Sequence, residues 1–189
     1  MKNTRHAYGW PAKTLHWVLA IALVGQSVLG LVFADMPRGD DKNELIRLHM
    51  SFGMLILAFM LLRLAVRLSG DTPKVVEGTP PVIAKAAAAA HVLLYGLIFL
   101  VVLAGMFTLL TVGWDITVFG MTIIPTPFAR DMELHHLFEE IHVYGWYVLA
   151  TLVGLHLVGV LYHTLILKDG TLARMGPRLP DIPQTQPKS

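Results

Sequence analysis

IHVYGWYVLATLVGLHLVGVLYHTLIL, residues Ile141–Leu167, contains no Asp, Glu, Lys or Arg. At ~1.5 Å rise per residue such a run is long enough to cross a bilayer core as one helix. It carries three histidines, His142, His156 and His163. An ionisable side chain in lipid is costly and calls for a pairing or functional explanation. His142 and His156 are separated by a rise of ~21 Å and nearly four complete turns, so their rings leave one face of the helix. His163, about two further turns along, shares that face.

Three more uncharged runs precede this one: Thr14–Ala34, Leu48–Leu62 and Ala86–Trp114. The short second run ends at Arg63 and Arg67, which can snorkel to headgroups, so its helix reads as about 44–68. The others read as helices at about 14–35, 85–113 and 135–168. The first is too long for a signal-peptide core and no soluble domain follows, so retention is expected. The chain is 54% hydrophobic and 15% charged, well below the ~25% charge of soluble domains. These features predict an all-α membrane protein, a four-helix transmembrane bundle over residues 1–176, followed by a Pro-rich tail at 177–189 expected to be disordered. The absence of cysteine excludes disulfides, iron–sulfur clusters and covalent c-type haem. A net charge of +2 gives no footprint for nucleic acid.

Basic residues set the orientation. The N-terminal segment, second connection and tail hold Lys2, Arg5, Lys13, Arg63, Arg67, Lys74, Lys85, Lys168, Arg174, Arg178 and Lys188. The other two connections hold only Arg38, Lys42, Arg47 and Arg130, beside nine of the thirteen acidic residues. Both termini are therefore expected in the cytoplasm of a multi-pass membrane protein. Helix direction then fixes depth. His16 lies near the inner end of the first helix and matches His156, while His49 lies near the outer end of the second and matches His142.

One helical histidine is more often a hydrogen-bonded core residue than a ligand. Two depth-matched pairs, with one helix serving both, reverse that balance and point to two bis-histidine iron sites, an electron carrier across the membrane. Rivals sit in HHLFEEIH. Glu139 and His142 resemble half of a di-iron carboxylate site, but the first and third helices contain no glutamate to complete it. A zinc site from His135, His136, Glu139 and Glu140 is conceivable; a solvated helix start with favourable acidic residues is the better reading. Trp17, Trp114 and Trp146 fit an interfacial belt, and Trp10 marks the first helix. His6 reads as cytoplasmic and inert.

TLHWVLAIAL, RLHMSFGMLILAFMLLRLAVR, AHVLLYGLIFLVVLAGMF, the VFG after the third helix, HVYGWYVLATLVGLHLVGVLYH and KDGTLARMGP resemble the bacterial cytochrome b561 family, over about residues 8–177. The resemblance implies a four-helix bundle with two haem b groups. The family's ligands match His16 and His156 for the inner haem, and His49 and His142 for the outer. It also implies a place in the bacterial inner membrane and electron flow between an outer donor and quinone, with superoxide a candidate donor and ubiquinone an electron acceptor or donor. His163 and His91 are candidates for a quinone headgroup pocket. Arg38, Lys42, Arg47 and Arg130 are candidates to steer an anion, and Arg47, Arg63, Arg67 and Arg130 to meet haem propionates. The alternative is an electron-transfer subunit serving a separate dehydrogenase, hydrogenase or periplasmic redox protein. A haem-free transporter explains neither the paired depths nor the unbroken helices. A homodimer is left open.

Overall fold

The computed structural model describes residues 9–69, 79–168 and 170–176, without the side chain of Arg174. His6, the 177–189 tail and most of the second connection lie outside the described residues. Four long helices dominate: α1 (Trp10–Ala34), α2 (Asp40–Leu68), α3 (Pro81–Leu110) and α4 (Met132–Leu161). Each is long and apolar enough to cross a membrane. α1 and α3 begin with proline in the first turn, where the missing N–H costs nothing and the fixed φ favours helix. That local chemistry starts the helices four and five residues before their uncharged runs begin.

α4 begins at Met132 because Asp131 caps it, its carboxylate accepting from the N–H groups of Glu133 and Leu134 at 3.0 Å each. The Asp131 N–H donates to the Thr111 carbonyl at 2.8 Å, pinning the start of α4 to the end of α3. Asp131→Ala is expected to lower stability by about 1 kcal/mol through the lost cap, measurable by denaturant unfolding in detergent. The other end of α4 widens into a π-helical turn at Tyr162–Leu167. Lys168 closes it in the left-handed conformation, with φ 51°.

α1 packs along α2 and α3 along α4, and these two helical hairpins meet across a seam. The core at the middle of that seam draws on every helix, through Leu19, Ile56, Met60, Ile98, Val101 and Leu149. It is narrow, since most large apolar side chains point outward, among them Ile21, Val24, Leu155 and Val158. So much exposed apolar surface would be untenable in water and is suited to lipid.

Between α3 and α4 lies a feature the sequence reading did not anticipate. Strands β1 (Ile116–Val118) and β2 (Met121–Ile124) pair antiparallel around a two-residue loop, Phe119–Gly120. Both loop residues have positive φ, 48° and 86°, as a type I′ turn requires. Glycine accepts this freely and phenylalanine does not. Phe119 is held by its N–H donating to Ser51 Oγ at 3.0 Å and by an edge contact with Phe52. Ile116 is fully buried against Met50 and Leu110, so the hairpin closes one end of the bundle.

At the opposite end the chain returns to its beginning. Lys13 Nζ donates to the Gly176 carbonyl at 2.8 Å, and Trp17 Nε1 to that of Met175 at 2.9 Å. Met175 and Gly176 of the closing segment thus lie against the start of α1.

Candidate functional site

At the hairpin end, His49 of α2 and His142 of α4 face one another across the seam, ring centroids 6.0 Å apart and planes at 82°. Each ring lies against a glycine of the neighbouring helix. A Cβ on Gly105 would sit 2.7 Å from Cε1 and Nδ1 of His142, and one on Gly30 would sit 3.3 Å from Cε1 of His49. The His142 Nδ1–H donates to the Val101 carbonyl at 2.7 Å, one turn before Gly105. A carbonyl only accepts, so the proton is on Nδ1 and Nε2 keeps its lone pair.

His49 shares the glycine contact but not the anchor: its Nδ1 is buried with no hydrogen-bond partner. Gln26 Nε2 donates to the His49 carbonyl, and Gln26 Oε1 is buried with no partner. Phe33 meets the His49 ring edge-on. Donor type, glycine-cleared cradle and the oriented Nδ1 of His142 fit a haem iron. Haem iron supplies one-electron transfer when bound; this chain's part is to hold two neutral imidazoles in a dry seam.

The other end is more crowded. The His156 ring lies 5.4 Å from that of His91, at 82°, and His16 is within electrostatic reach of both and of Arg63. The sequence pairs His16 with His156 by depth; the structure adds His91 of α3 as a third imidazole. The His91 Nδ1–H donates to the Ala87 carbonyl at 2.6 Å. Arg63 donates to the Ala12 carbonyl at 2.8 Å, and Arg63 and Arg67 both lie over the Tyr95 ring. Arg63 thus stands beside the imidazole cluster, and Arg67 shares the Tyr95 ring with it.

Along α4, His135, His142, Leu149, His156 and His163 fall at intervals of seven, one stripe with the buried Leu149 at its centre. The π-helical turn opens at Tyr162, so the spacing no longer carries strict α-helical phase to His163. Such turns often mark functional positions. Trp146 does not join an interfacial belt. Its Nε1 donates to Ser27 Oγ at 3.0 Å and its ring packs on the central core, because a buried indole N–H needs an acceptor.

The four basic residues read as an anion-steering set have distinct settings. The Arg47 guanidinium lies 4.9 Å from the Trp114 ring centroid. Lys42 donates to the Met36 carbonyl at 3.0 Å and sits near that of Ala34, stabilising the negative end of α1. Arg38 and Arg130 are exposed.

A four-helix apolar bundle with imidazoles gathered at both ends of one seam defines a membrane cytochrome of the b type. The chain belongs to the prokaryotic cytochrome b561 family, whose model matches residues 7–178. It is 29% identical to cytochrome b561 homolog 2 of Escherichia coli (strain K12), covering 92% of this chain and 93% of that protein. It is 30% identical to the probable superoxide oxidase CybB of Yersinia pestis, over 87% of this chain and 92% of the relative. Cytochrome b561 homolog 1 of E. coli is 28% identical, covering 87% and 93%.

Proposed function

We propose that this chain binds two haem b groups and moves electrons across the bacterial inner membrane, between a donor at the hairpin end and the quinone pool at the other. His49 and His142 hold the outer haem, and His16 and His156 the inner. The observation that carries this reading is the pair of imidazole clusters at opposite ends of one seam, both served by α4. The bias of basic residues supports cytoplasmic termini. His163 and His91 handle quinone protons beside the inner haem, and ubiquinone is the acceptor. Superoxide is the candidate donor, because a relative of similar length carries that activity in its name. Arg38, Lys42, Arg47 and Arg130 supply the positive potential that an anion needs.

The charge of the outer connections favours a second reading. Nine acidic residues face four basic ones there, so the average field repels a small anion. An electron-transfer subunit docking a cationic or neutral redox protein suits that surface.

The deciding experiment uses the purified, haem-loaded chain without partners. A pyridine haemochrome assay should return about two haems per chain. Superoxide should reduce them and pass electrons to ubiquinone, with Arg47→Glu and Arg130→Glu slowing the reaction more at low salt than at high. Reduction that is absent, or indifferent to both reversals and salt, assigns the chain to the subunit reading.

A further inference from the structure

The first two turns of α4 carry a group that the haem reading leaves unused. Nitrogens of His135 and His136 and a carboxylate oxygen of Glu139 lie within 4.8 Å of one another. The sequence alone reads these residues as a solvated helix start. The structure adds the direction of the His135 ring. Its Nδ1–H donates to the Thr108 carbonyl of α3 at 3.0 Å, which fixes the tautomer and leaves a lone pair on Nε2. That lone pair faces Glu139 Oε2 at 3.8 Å, and the same oxygen lies 3.7 Å from His136 Nδ1. In the neutral imidazole two electron-rich atoms thus face each other, and a proton or a metal cation between them relieves the repulsion.

We propose that His135, His136 and Glu139 form a binding site for a divalent transition cation of the zinc or copper type. Two imidazoles and one carboxylate suit such ions, and three protein ligands leave one position open to solvent. Glu140, which the sequence adds to this group, is not among its members. Ligand atoms on a tetrahedral ion, with bonds of roughly 2.0–2.1 Å, stand about 3.4 Å apart, so modest closure is required. The mobile partners supply it: side chains of His136 and Glu139 are 66% and 53% exposed, against 18% for His135. One ligand is therefore anchored and two can swing. Anchoring through the second ring nitrogen to a carbonyl is the usual outer-shell support of a metal-binding histidine.

His135 also repeats the geometry of His142. Each donates Nδ1–H to a carbonyl of α3, and both the histidines and their acceptors are seven residues apart. α3 and α4 thus present two successive imidazoles of the same tautomer, one inside the seam and one at its mouth. Glu133, Glu139 and Glu140 and the Asp131 cap offset the positive end of the α4 dipole, which would otherwise disfavour a cation.

The test uses the full haem-loaded chain, purified with a tag that contains no histidine, near neutral pH. Titration with Zn²⁺ by calorimetry should show one saturable site per chain. Cu²⁺ should occupy the same site more tightly, with nitrogen hyperfine structure in its electron paramagnetic resonance spectrum, and should displace Zn²⁺. His136→Ala and Glu139→Gln, both at exposed positions, should each weaken binding by more than about 10-fold, and His135→Ala should do the same. Glu140→Gln should leave affinity unchanged. An unaltered haem spectrum in each variant shows that the bundle is intact. Affinity no better than about 1 mM, or binding that survives Glu139→Gln and His136→Ala, overturns the proposal. So does equal loss with Glu140→Gln.

Discussion

His142→Ala is expected to cut the haem content of the purified protein from about two per chain to about one, removing the outer haem and sparing the inner. The expectation rests on the division of labour along α4. His142 faces His49 at the hairpin end, and His156 stands fourteen residues away within the other cluster. A bis-imidazole site needs both partners, so His49→Ala should reproduce the His142→Ala spectrum. His156→Ala should give the complementary one. Pyridine haemochrome content and the reduced α-band together distinguish the outcomes. Loss of both haems from His142→Ala, with the helical content retained, would mean that the two sites do not assemble independently.

The inner pair gives this experiment its sharper edge, because three imidazoles are available for two axial positions. Depth selects His16 and His156, whereas ring proximity sets His91 beside His156. The proposal requires that His16→Ala remove the inner haem and His91→Ala retain it while slowing quinone reduction. The reverse pattern makes His91 the ligand and frees His16. The reach of Arg63 to His16 does not separate the two cases. Only haem retention does.

That ambiguity shows how far the sequence reaches. Charge-free runs and the α4 spacing reveal spans and depths, because both follow from rise per residue. Rotation about each helix axis is invisible wherever a helix is apolar all round, and it is what brings His91 against His156 as a third imidazole. The Phe119–Gly120 hairpin was equally hidden. Its strands are three and four residues long, and phenylalanine at positive φ opposes local preference. The hydrogen bond of Trp146 joins residues 119 apart, so no local pattern could separate that tryptophan from an interfacial one. The Asp131 cap could have been read, since Asp followed by an acidic first turn is a helix-start signal.

The second large effect is expected from a residue that touches no iron. Gly105→Ala should remove most of the outer haem although every histidine remains. The added Cβ would stand 2.7 Å from two atoms of the His142 ring. Ordinary carbon contacts lie at ~3.5–4.0 Å, so the ring must retreat by roughly 1 Å. A free side-chain tip would do this at little cost. This ring is held by its Nδ1–H to the Val101 carbonyl, and breaking a buried hydrogen bond of that kind costs about 1–3 kcal/mol. Moving away from Gly105 also alters the approach to His49 across the seam. Gly30→Ala should be milder, because its nearest contact would be 3.3 Å and the His49 Nδ1 has no hydrogen bond to lose. The outer haem should then stay bound with a shifted reduction potential. Gly96→Ala is the control, on the same helix with nothing within 4 Å of the new Cβ. It should leave both haems in place and stabilise α3 by up to about 1 kcal/mol, the ordinary helix preference of alanine over glycine. If Gly105→Ala instead matched Gly96→Ala in haem content and potential, the His142 ring would not occupy the cradle that α3 provides.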